Sequence, residues 1–276
     1  MGKRFFKSSY VFHSFIVAFI LIIVLIPILW TFLSSLKQRV DVFSEIPIIL
    51  FKPTFNNYGN LIFGDHPVYP YFINSFIVTG GVVLLGSTVG LMTSYGLARF
   101  RIKIEKHVLF FFLSLRMAPP IAVALPLFMM FSQLRLIDTY IGVIFAHSTF
   151  IFPFVVWMMT SYIREIPYDL EEAALIDGCS RFVAFRKIIL PLTIPGLATT
   201  ILFAVLLSWT EFLFSLVITG SNTKTVTVAI TESWGGIVVD WGMLTSFSII
   251  AMAPVIIIAF VLQRHLIRGL TFGALK

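Results

Sequence analysis

Long apolar runs separated by short polar stretches set the pattern of this chain. Six runs are long enough to cross the hydrocarbon core of a bilayer, which takes roughly 20 residues of helix. Because lipid offers no partners to backbone N–H and C=O groups, each run is predicted to be helical rather than extended. The fold class is therefore all-α, with six transmembrane helices in a single domain that takes up residues 1–276. The runs cover residues 11–36, 71–98, 108–131, 140–163, 196–219 and 243–264.

Prolines inside these runs are predicted to kink the helices. Proline lacks a backbone N–H, and its ring clashes with the carbonyl group of the preceding turn. Such kinks also open backbone hydrogen-bonding groups toward the protein interior. The prolines concerned are Pro119, Pro120, Pro126, Pro153 and Pro254.

The composition and the charges agree with residence in a membrane. Hydrophobic residues make up 58% of the chain and charged residues 12%, whereas a soluble domain carries about 25% charged residues. Most lysines and arginines lie near the two termini, after the second run and in residues 164–195. The positive-inside rule therefore places both termini and residues 164–195 in the cytoplasm. This asymmetry explains the net charge of +7, and no segment outside the runs is large enough to be a nucleic-acid-binding domain.

The sequence lacks the common motifs of an enzyme. H-E-x-x-H, G-x-S-x-G and G-x-x-x-x-G-K-[ST] do not occur, so a metalloprotease, a serine hydrolase and an ATP-binding loop are not indicated. The five histidines have no metal-ligand spacing, and the single cysteine, Cys179, forms no disulfide within the chain. An energy-driven activity would therefore need a partner. A carrier or channel that works without ATP and, more distantly, a membrane-embedded enzyme are the competing classes.

Residues 164–195 form the most charged segment between the apolar runs. Asp169 is predicted to cap a helix, and Glu172 to complete a capping box with it. Gly178 is predicted to end this helix in the left-handed conformation. Within this helix, four residues at helical spacing form one narrow face of small residues: Leu170, Ala173, Ala174 and Asp177.

A second short helix is predicted after Ser180, ended by Pro191 and Pro195. Two short helices joined by a glycine turn suit insertion into the groove of a partner protein, because alanines allow the two surfaces to approach closely. An amphipathic loop that lies on the lipid headgroups would have a similar charge pattern. The residues alone leave both interpretations open.

The same segment resembles the EAA signature of the membrane subunits of bacterial and archaeal ABC importers, which reads E-A-A-x3-G-x9-I-x-L-P. The matching residues are Glu172, Ala173, Ala174, Gly178, Ile188, Leu190 and Pro191. Further stretches, "SYGLARFR" and "WTEFLFSLVIT" among them, are similar to the carbohydrate-uptake branch of this family and to its MalG-like subunits. The resemblance covers nearly the whole chain.

The resemblance implies a MetI-like permease in the prokaryotic plasma (inner) membrane that imports a di- or oligosaccharide, with a polyol or glycerol phosphate as the alternative cargo. Its implied partners are a second, MalF-like permease subunit, two ATPase subunits and an extracytoplasmic solute-binding protein. The ATPases would bind ATP and Mg²⁺, so this chain would need no cofactor and would have no catalytic site. The residues implied in ATPase coupling are Glu171, Glu172, Ala173, Ala174, Asp177 and Gly178.

Two charged residues lie inside predicted helices, Arg116 in the third and Glu211 in the fifth. A charge at the bilayer centre costs about 2.5–3.5 kcal/mol on insertion scales, so each should find a partner or face a water-filled path. They are predicted to pair with each other or to contact sugar hydroxyls in a substrate path. Trp209 is the ring predicted to stack on a sugar, and its alternative role is packing, which is commoner in a chain with 16% aromatic residues.

Overall fold

The computed structural model describes residues 2–44, 46–64, 67–100, 102–232 and 239–271, and within these ranges the chain is helical with no strand. The all-α prediction is confirmed. Among the described residues, five helices are long and apolar enough to cross a membrane, or six if one bent pair counts as a single span. The helices are α1 (Gly2–Ser35), α2 (Arg39–Val42), α3 (Asn56–Phe63), α4 (Tyr69–Leu85), α5 (Leu91–Arg99), α6 (Glu105–Met117), α7 (Pro120–Gln133), α8 (Tyr140–Glu165), α9 (Asp169–Ile176), α10 (Arg181–Ala184), α11 (Leu190–Trp209), α12 (Leu213–Ile218), α13 (Val226–Glu232) and α14 (Trp241–Thr271).

The second predicted run is one continuous helix, because α4 and α5 are joined by a π-helical turn at Gly86–Gly90. A Cβ atom on Gly86 would lie 3.2 Å from the side chain of Val155, and one on Gly90 would lie 3.1 Å from it. Larger residues would therefore push the two helices apart. The two glycines allow this span to pack closely against α8.

The third predicted run is not a straight helix, since α6 and α7 meet at an angle of 98°. Pro119 and Pro120 give the physical reason. Both lack an N–H group, and a residue before proline is pushed toward extended backbone, as the junction between the helices is. The predicted kink is confirmed there, whereas Pro126, Pro153 and Pro254 lie inside α7, α8 and α14 without ending them.

The fifth run begins and ends earlier than predicted. Residues 196–219 are predicted as one helix, but the continuous helix is Arg181–Trp209, and α12 follows after an interruption. Pro191 and Pro195 therefore do not end the helix that precedes them. A π-helical turn at Phe185–Ile189 lies directly before Pro191, and its wider backbone accommodates a residue that donates no hydrogen bond.

One compact unit comprises Met1–Val68 and Glu232–Met252. Ser246 Oγ and Asn57 Nδ2 each donate a hydrogen bond of 3.0 Å to the carbonyl oxygen of Ser35. These bonds satisfy a carbonyl at the end of α1 that has no partner within the helix. From Phe15 to Phe32 the apolar side chains of α1 remain exposed around the helix, so lipid or another subunit must cover them.

The other unit comprises Tyr69–Thr231 and Ala253–Lys276. Helix α8 is the most buried of the candidate spans, and it packs against α4, α5, α6, α11 and α12. The core around it consists of the buried side chains Val82, Leu91, Tyr95, Ile151, Phe154, Val155, Met159, Ile163, Phe185, Ile189 and Ala204. This core fixes the point at which residues 164–195 leave α8.

Candidate functional site

The predicted capping box at the start of α9 is wrong. The N-cap residue is Tyr168, whose side chain makes no capping hydrogen bond and whose backbone is already helical, with φ −64° and ψ −33°. Asp169 and Glu172 therefore lie inside the first turn of α9, together with Glu171. Carboxylates in a first turn still interact favourably with the positive end of the helix dipole.

Gly178 forms the turn between α9 and α10, as predicted. Its φ of +84° lies in the left-handed region that glycine adopts readily. The Gly178 amide donates to the carbonyl of Leu175 at 3.1 Å, and the Cys179 amide donates to the carbonyl of Ala174 at 3.0 Å. Such bonds close the C-terminal end of a helix. Ser180 then caps α10 with its side-chain oxygen.

The residues predicted to contact an ATPase do not share one face of α9. Glu171 and Ala174 are 1% and 6% exposed and face the interior of this chain. Three positions separate them, which places both on one side of a helix. The exposed residues of the set are Glu172, Ala173, Asp177 and Gly178. Three large apolar side chains are exposed beside them, namely Leu170, Ile176 and Phe182.

Glu171 is held by the last turn of α5. Its Oε2 lies 3.1 Å from Arg99 Nε, and the Tyr95 hydroxyl donates to Oε1 at 2.5 Å. Arg99 Nη2 donates to the carbonyl of Ile166 at 2.9 Å, and the guanidinium lies 4.9 Å from the ring centroid of Tyr168. The Tyr168 hydroxyl donates to the carbonyl of Arg99. These contacts join α5 to both the exit from α8 and the first turn of α9.

The part of the segment after Gly178, which comprises α10 and the π-helical turn at Phe185–Ile189, contacts the same turn of α5. The rings of Phe185 and Tyr95 are 4.7 Å apart, and the Arg181 guanidinium lies 5.2 Å from the ring centroid of Phe100. The end of α5 thus lies between α9 and the start of the following span. No local pattern in the sequence indicates these partners, because Tyr95 and Glu171 are 76 positions apart.

Arg116 and Glu211 do not pair, so that prediction is wrong. The Arg116 guanidinium lies 4.6 Å from the ring centroid of Phe154. Glu211 accepts hydrogen bonds of 3.0 Å from the amides of Phe214 and Ser215. The interruption before α12 leaves the first amides of this helix without intrahelical partners, and the carboxylate satisfies two of them.

Glu211 also contacts a buried histidine. His147 Nε2 lies 3.4 Å from the Glu211 carboxylate and 2.8 Å from Ser215 Oγ, while Nδ1 lies 3.1 Å from Ser208 Oγ. Thr79 Oγ1 donates to the same Ser208 oxygen at 3.3 Å. This polar cluster links α4, α8, α11 and α12. Within the part of the chain that the structure describes, no group of three or more His, Cys, Asp or Glu residues is placed to hold a metal ion.

Trp209 packs against other aromatic rings. Only 5% of its surface is exposed, and its ring centroid lies 4.9 Å from that of Phe76 and 6.3 Å from that of Phe72. The ring could stack on a sugar only after separating from these neighbours. The packing interpretation fits this arrangement.

Replacing Glu211 with alanine is expected to lower the free energy of unfolding by about 1–3 kcal/mol, because it leaves buried donors unpaired. Glu211→Gln keeps one oxygen acceptor and should lose less. Thermal unfolding in detergent measures both effects, with Glu165→Ala as the control for removal of an exposed carboxylate. Equal unfolding temperatures for the variants and the unaltered chain would contradict this role.

Asp138 organises the loop that follows α12. Its carboxylate accepts hydrogen bonds from the backbone amides of Gly220, Asn222 and Thr223, and from the side chains of the latter two. Partial burial acts to raise the pKa of Asp138, but the hydrogen bonds from Thr223 and the loop amides outweigh it. The pKa of this carboxyl is therefore lowered.

The chain is similar in sequence to membrane components of binding-protein-dependent transport systems. Residues 84–272 match the family described as binding-protein-dependent transport system inner membrane component. The chain is 34% identical over 252 residues to the probable ABC transporter permease protein y4oR of Sinorhizobium fredii, which covers 91% of this chain and 90% of that protein. It is 32% identical over 259 residues to the trehalose/maltose transport system permease protein MalG of Thermococcus litoralis, with 92% of each chain covered.

The fold also matches a solved structure. The crystal structure of a bacterial ABC transporter involved in the import of the acidic polysaccharide alginate gives a TM-score of 0.78. The match covers 94% of this chain and 96% of that chain, at 19% sequence identity. At this identity the similarity concerns the fold.

Proposed function

The chain belongs to the family of binding-protein-dependent transport system inner membrane components, and on that premise we propose that it couples ATP hydrolysis by partner subunits to the import of a sugar. It is a multi-pass inner-membrane permease subunit of an ABC importer. One observation supports the coupling role above all. The first four EAA residues, Glu172, Ala173, Ala174 and Gly178, lie in an elbow made of α9, the Gly178 turn and α10. The outer side of this elbow is exposed, and its inner side is held by α5.

The exposed side of the elbow is suited to a groove on an ATPase subunit. Ile176 before the Gly178 turn is 85% exposed and Phe182 after it is 62% exposed, and a protein partner could bury both of these apolar side chains. Ala173 lets a partner surface approach closely, while Glu172 and Asp177 supply charges at the edge of the contact. Glu171 and Ala174 act from the inner side, by fixing the position of the elbow.

Adsorption of the elbow to lipid headgroups is disfavoured by its charge. Helices that lie on membranes carry lysine and arginine on their polar face, because the cytoplasmic leaflet is negatively charged. The exposed acidic residues of the elbow are Asp169, Glu172 and Asp177, and Arg181 is its one basic residue. A protein groove is therefore the better-matched partner.

The proposed mechanism is a mechanical switch. We place both termini and residues 164–195 in the cytoplasm, where two ATPase subunits bind the elbows of this chain and of a second, MalF-like permease subunit. Closure of the ATPases around ATP and Mg²⁺ draws the elbows together and turns the path from inward-facing to outward-facing. A solute-binding protein delivers the cargo from outside. This chain contributes no catalytic group.

A di- or oligosaccharide is the proposed cargo, because the relative from Thermococcus litoralis is named for trehalose and maltose. A polyol or glycerol phosphate is the alternative. An ATP-independent carrier is the competing function, and it predicts uptake by proteoliposomes that contain this chain alone. Uptake that requires the ATPase and the binding protein excludes it.

The lone thiol tests the coupling role. Cys179 lies one residue after the turn and is partly exposed, so a short thiol-directed photo-crosslinker in native membranes is expected to attach it to an ATPase subunit. Mass spectrometry identifies the product, and nucleotide should change its yield. In the control, Cys179→Ser is combined with Ser221→Cys, which moves the thiol to an exposed loop position outside the elbow. Repeatable captures that never contain an ATPase would contradict the proposal.

A further inference from the structure

We propose that Arg99, Glu171 and Tyr95 form the joint through which movement of the elbow reaches the second membrane span. The inference rests on the proposed coupling function and extends it to residues that do not touch the ATPase. They are positioning residues, which act through the elbow on one side and through α4–α5 on the other. We call these three side chains the α5–α9 joint.

The geometry of the joint favours transmission of movement. Arg99 is 4% exposed and Glu171 is 1% exposed, so water does not compete with their ion pair. Tyr95 donates a hydrogen bond to the second carboxylate oxygen of Glu171, and its ring also packs against Phe185, the first residue after α10. A displacement of α9 must therefore either move the last turn of α5 or break a buried charge contact, and the second outcome is costly.

The chemistry of the joint is poorly suited to a purely stabilising role. A buried ion pair rarely stabilises a fold more than apolar side chains of the same volume, because both charges lose their hydration. Arg99 Nε and Glu171 Oε2 are 3.1 Å apart, yet neither atom makes a hydrogen bond. Buried donors and acceptors are nearly always paired. A small shift of α9 against α5 would align these two atoms for a hydrogen bond.

Two thiol reporters in the assembled transporter separate the movement of the elbow from the movement of the span. The first is the native Cys179 beside the turn. The second is Tyr69→Cys in a Cys179→Ser background, at the exposed first residue of α4 and thus at the far end of the span that carries Arg99. The rate of maleimide labelling is measured for each reporter in the purified complex, without nucleotide and with ATP, Mg²⁺ and vanadate.

In the unaltered joint, nucleotide is expected to change both labelling rates about fivefold or more, a typical coupling between two sites. In Glu171→Gln the change at Cys179 should persist, while the change at the Tyr69→Cys reporter should fall below twofold. A purely structural role would alter both reporters together. Asp169→Asn removes an exposed carboxylate from the same helix turn and should leave both responses intact.

The outcomes separate this inference from the proposed function. If Cys179 itself does not respond to nucleotide in the unaltered complex, the coupling function fails. Two results would refute the proposal that the joint transmits movement, given that Cys179 responds. The Tyr69→Cys reporter is silent in the unaltered joint, or it still responds in Glu171→Gln. Should Glu171→Gln not assemble, the double variant Arg99→Met/Glu171→Met replaces the ion pair with apolar side chains. This double variant is expected to assemble and to lose the nucleotide response of the Tyr69→Cys reporter. A normal response of that reporter in the double variant would also refute the proposal.

Discussion

Replacing Gly178 with valine is expected to abolish transport while the protein remains inserted in the membrane. The φ of +84° at this position costs an L-residue roughly 1–2 kcal/mol, and a β-branched side chain fits it worst. No atom lies near the site of an added Cβ, so the effect comes from the backbone and not from a clash. The turn then changes its path, and the exposed residues of the elbow no longer meet their partner. ATP-dependent uptake and membrane content are the two measurements.

A graded series tests whether the left-handed backbone is the cause. Gly178→Asn should retain most transport, because asparagine tolerates this conformation better than other residues with a side chain. Gly59→Val is a matched control, since an added Cβ meets open space there and the backbone is that of a helix. Normal uptake by Gly178→Val would show that the turn geometry does not matter for coupling.

Replacing Asp138 with alanine is expected to lower the free energy of unfolding by about 2–3 kcal/mol, because amides of the loop after α12 lose a charged acceptor. The backbone at Asp138 has a φ of +55°, which alanine tolerates poorly. Asp138→Asn keeps one oxygen acceptor and tolerates the backbone, so it should lose less. Asp240→Ala is the control, since Asp240 accepts one backbone hydrogen bond, from the Met243 amide, and such caps contribute about 1 kcal/mol.

The same carboxylate predicts a pH dependence of the loop. Because the pKa of Asp138 is lowered in the folded chain, its contribution to stability is fully present above its unfolded pKa of about 3.9. The contribution disappears as the pH falls through the lower folded pKa. Hydrogen-exchange protection of the Gly220 and Thr223 amides should therefore be insensitive to this group above about pH 4 and fall below it. In Asp138→Asn the acid-dependent loss attributable to this group should be absent, and a loss as large as that of the unaltered chain would refute its origin.

Several features were predictable because they depend on neighbours in the sequence. The left-handed turn at Gly178 and the bend at Pro119 and Pro120 follow from the steric properties of glycine and proline. The all-helical fold follows from the backbone requirements of a bilayer. The EAA spacing identified the segment that forms the exposed elbow.

Other local predictions were wrong because the structure offered an alternative that the sequence pattern does not reveal. The helix at Pro191 continues because a π-helical turn precedes the proline. Asp169 does not cap α9, because the N-cap lies one residue earlier, at Tyr168, whose side chain is held by Arg99. The first outcome involves backbone geometry within one helix, and the second involves a contact with α5.

The sequence by itself determined that this is an all-α membrane protein of the ABC importer type, with a charged two-helix elbow closed by a glycine turn. These properties depend on apolar run length, on backbone sterics and on a motif of fixed spacing. Only the tertiary structure decided that Glu171 faces Arg99 and that Glu211 pairs with the first amides of α12 and with His147 instead of Arg116. Charge signs along a sequence indicate which residues need partners. The packing of α5, α8 and α9, and of α11 with α12, decides which partner is within reach.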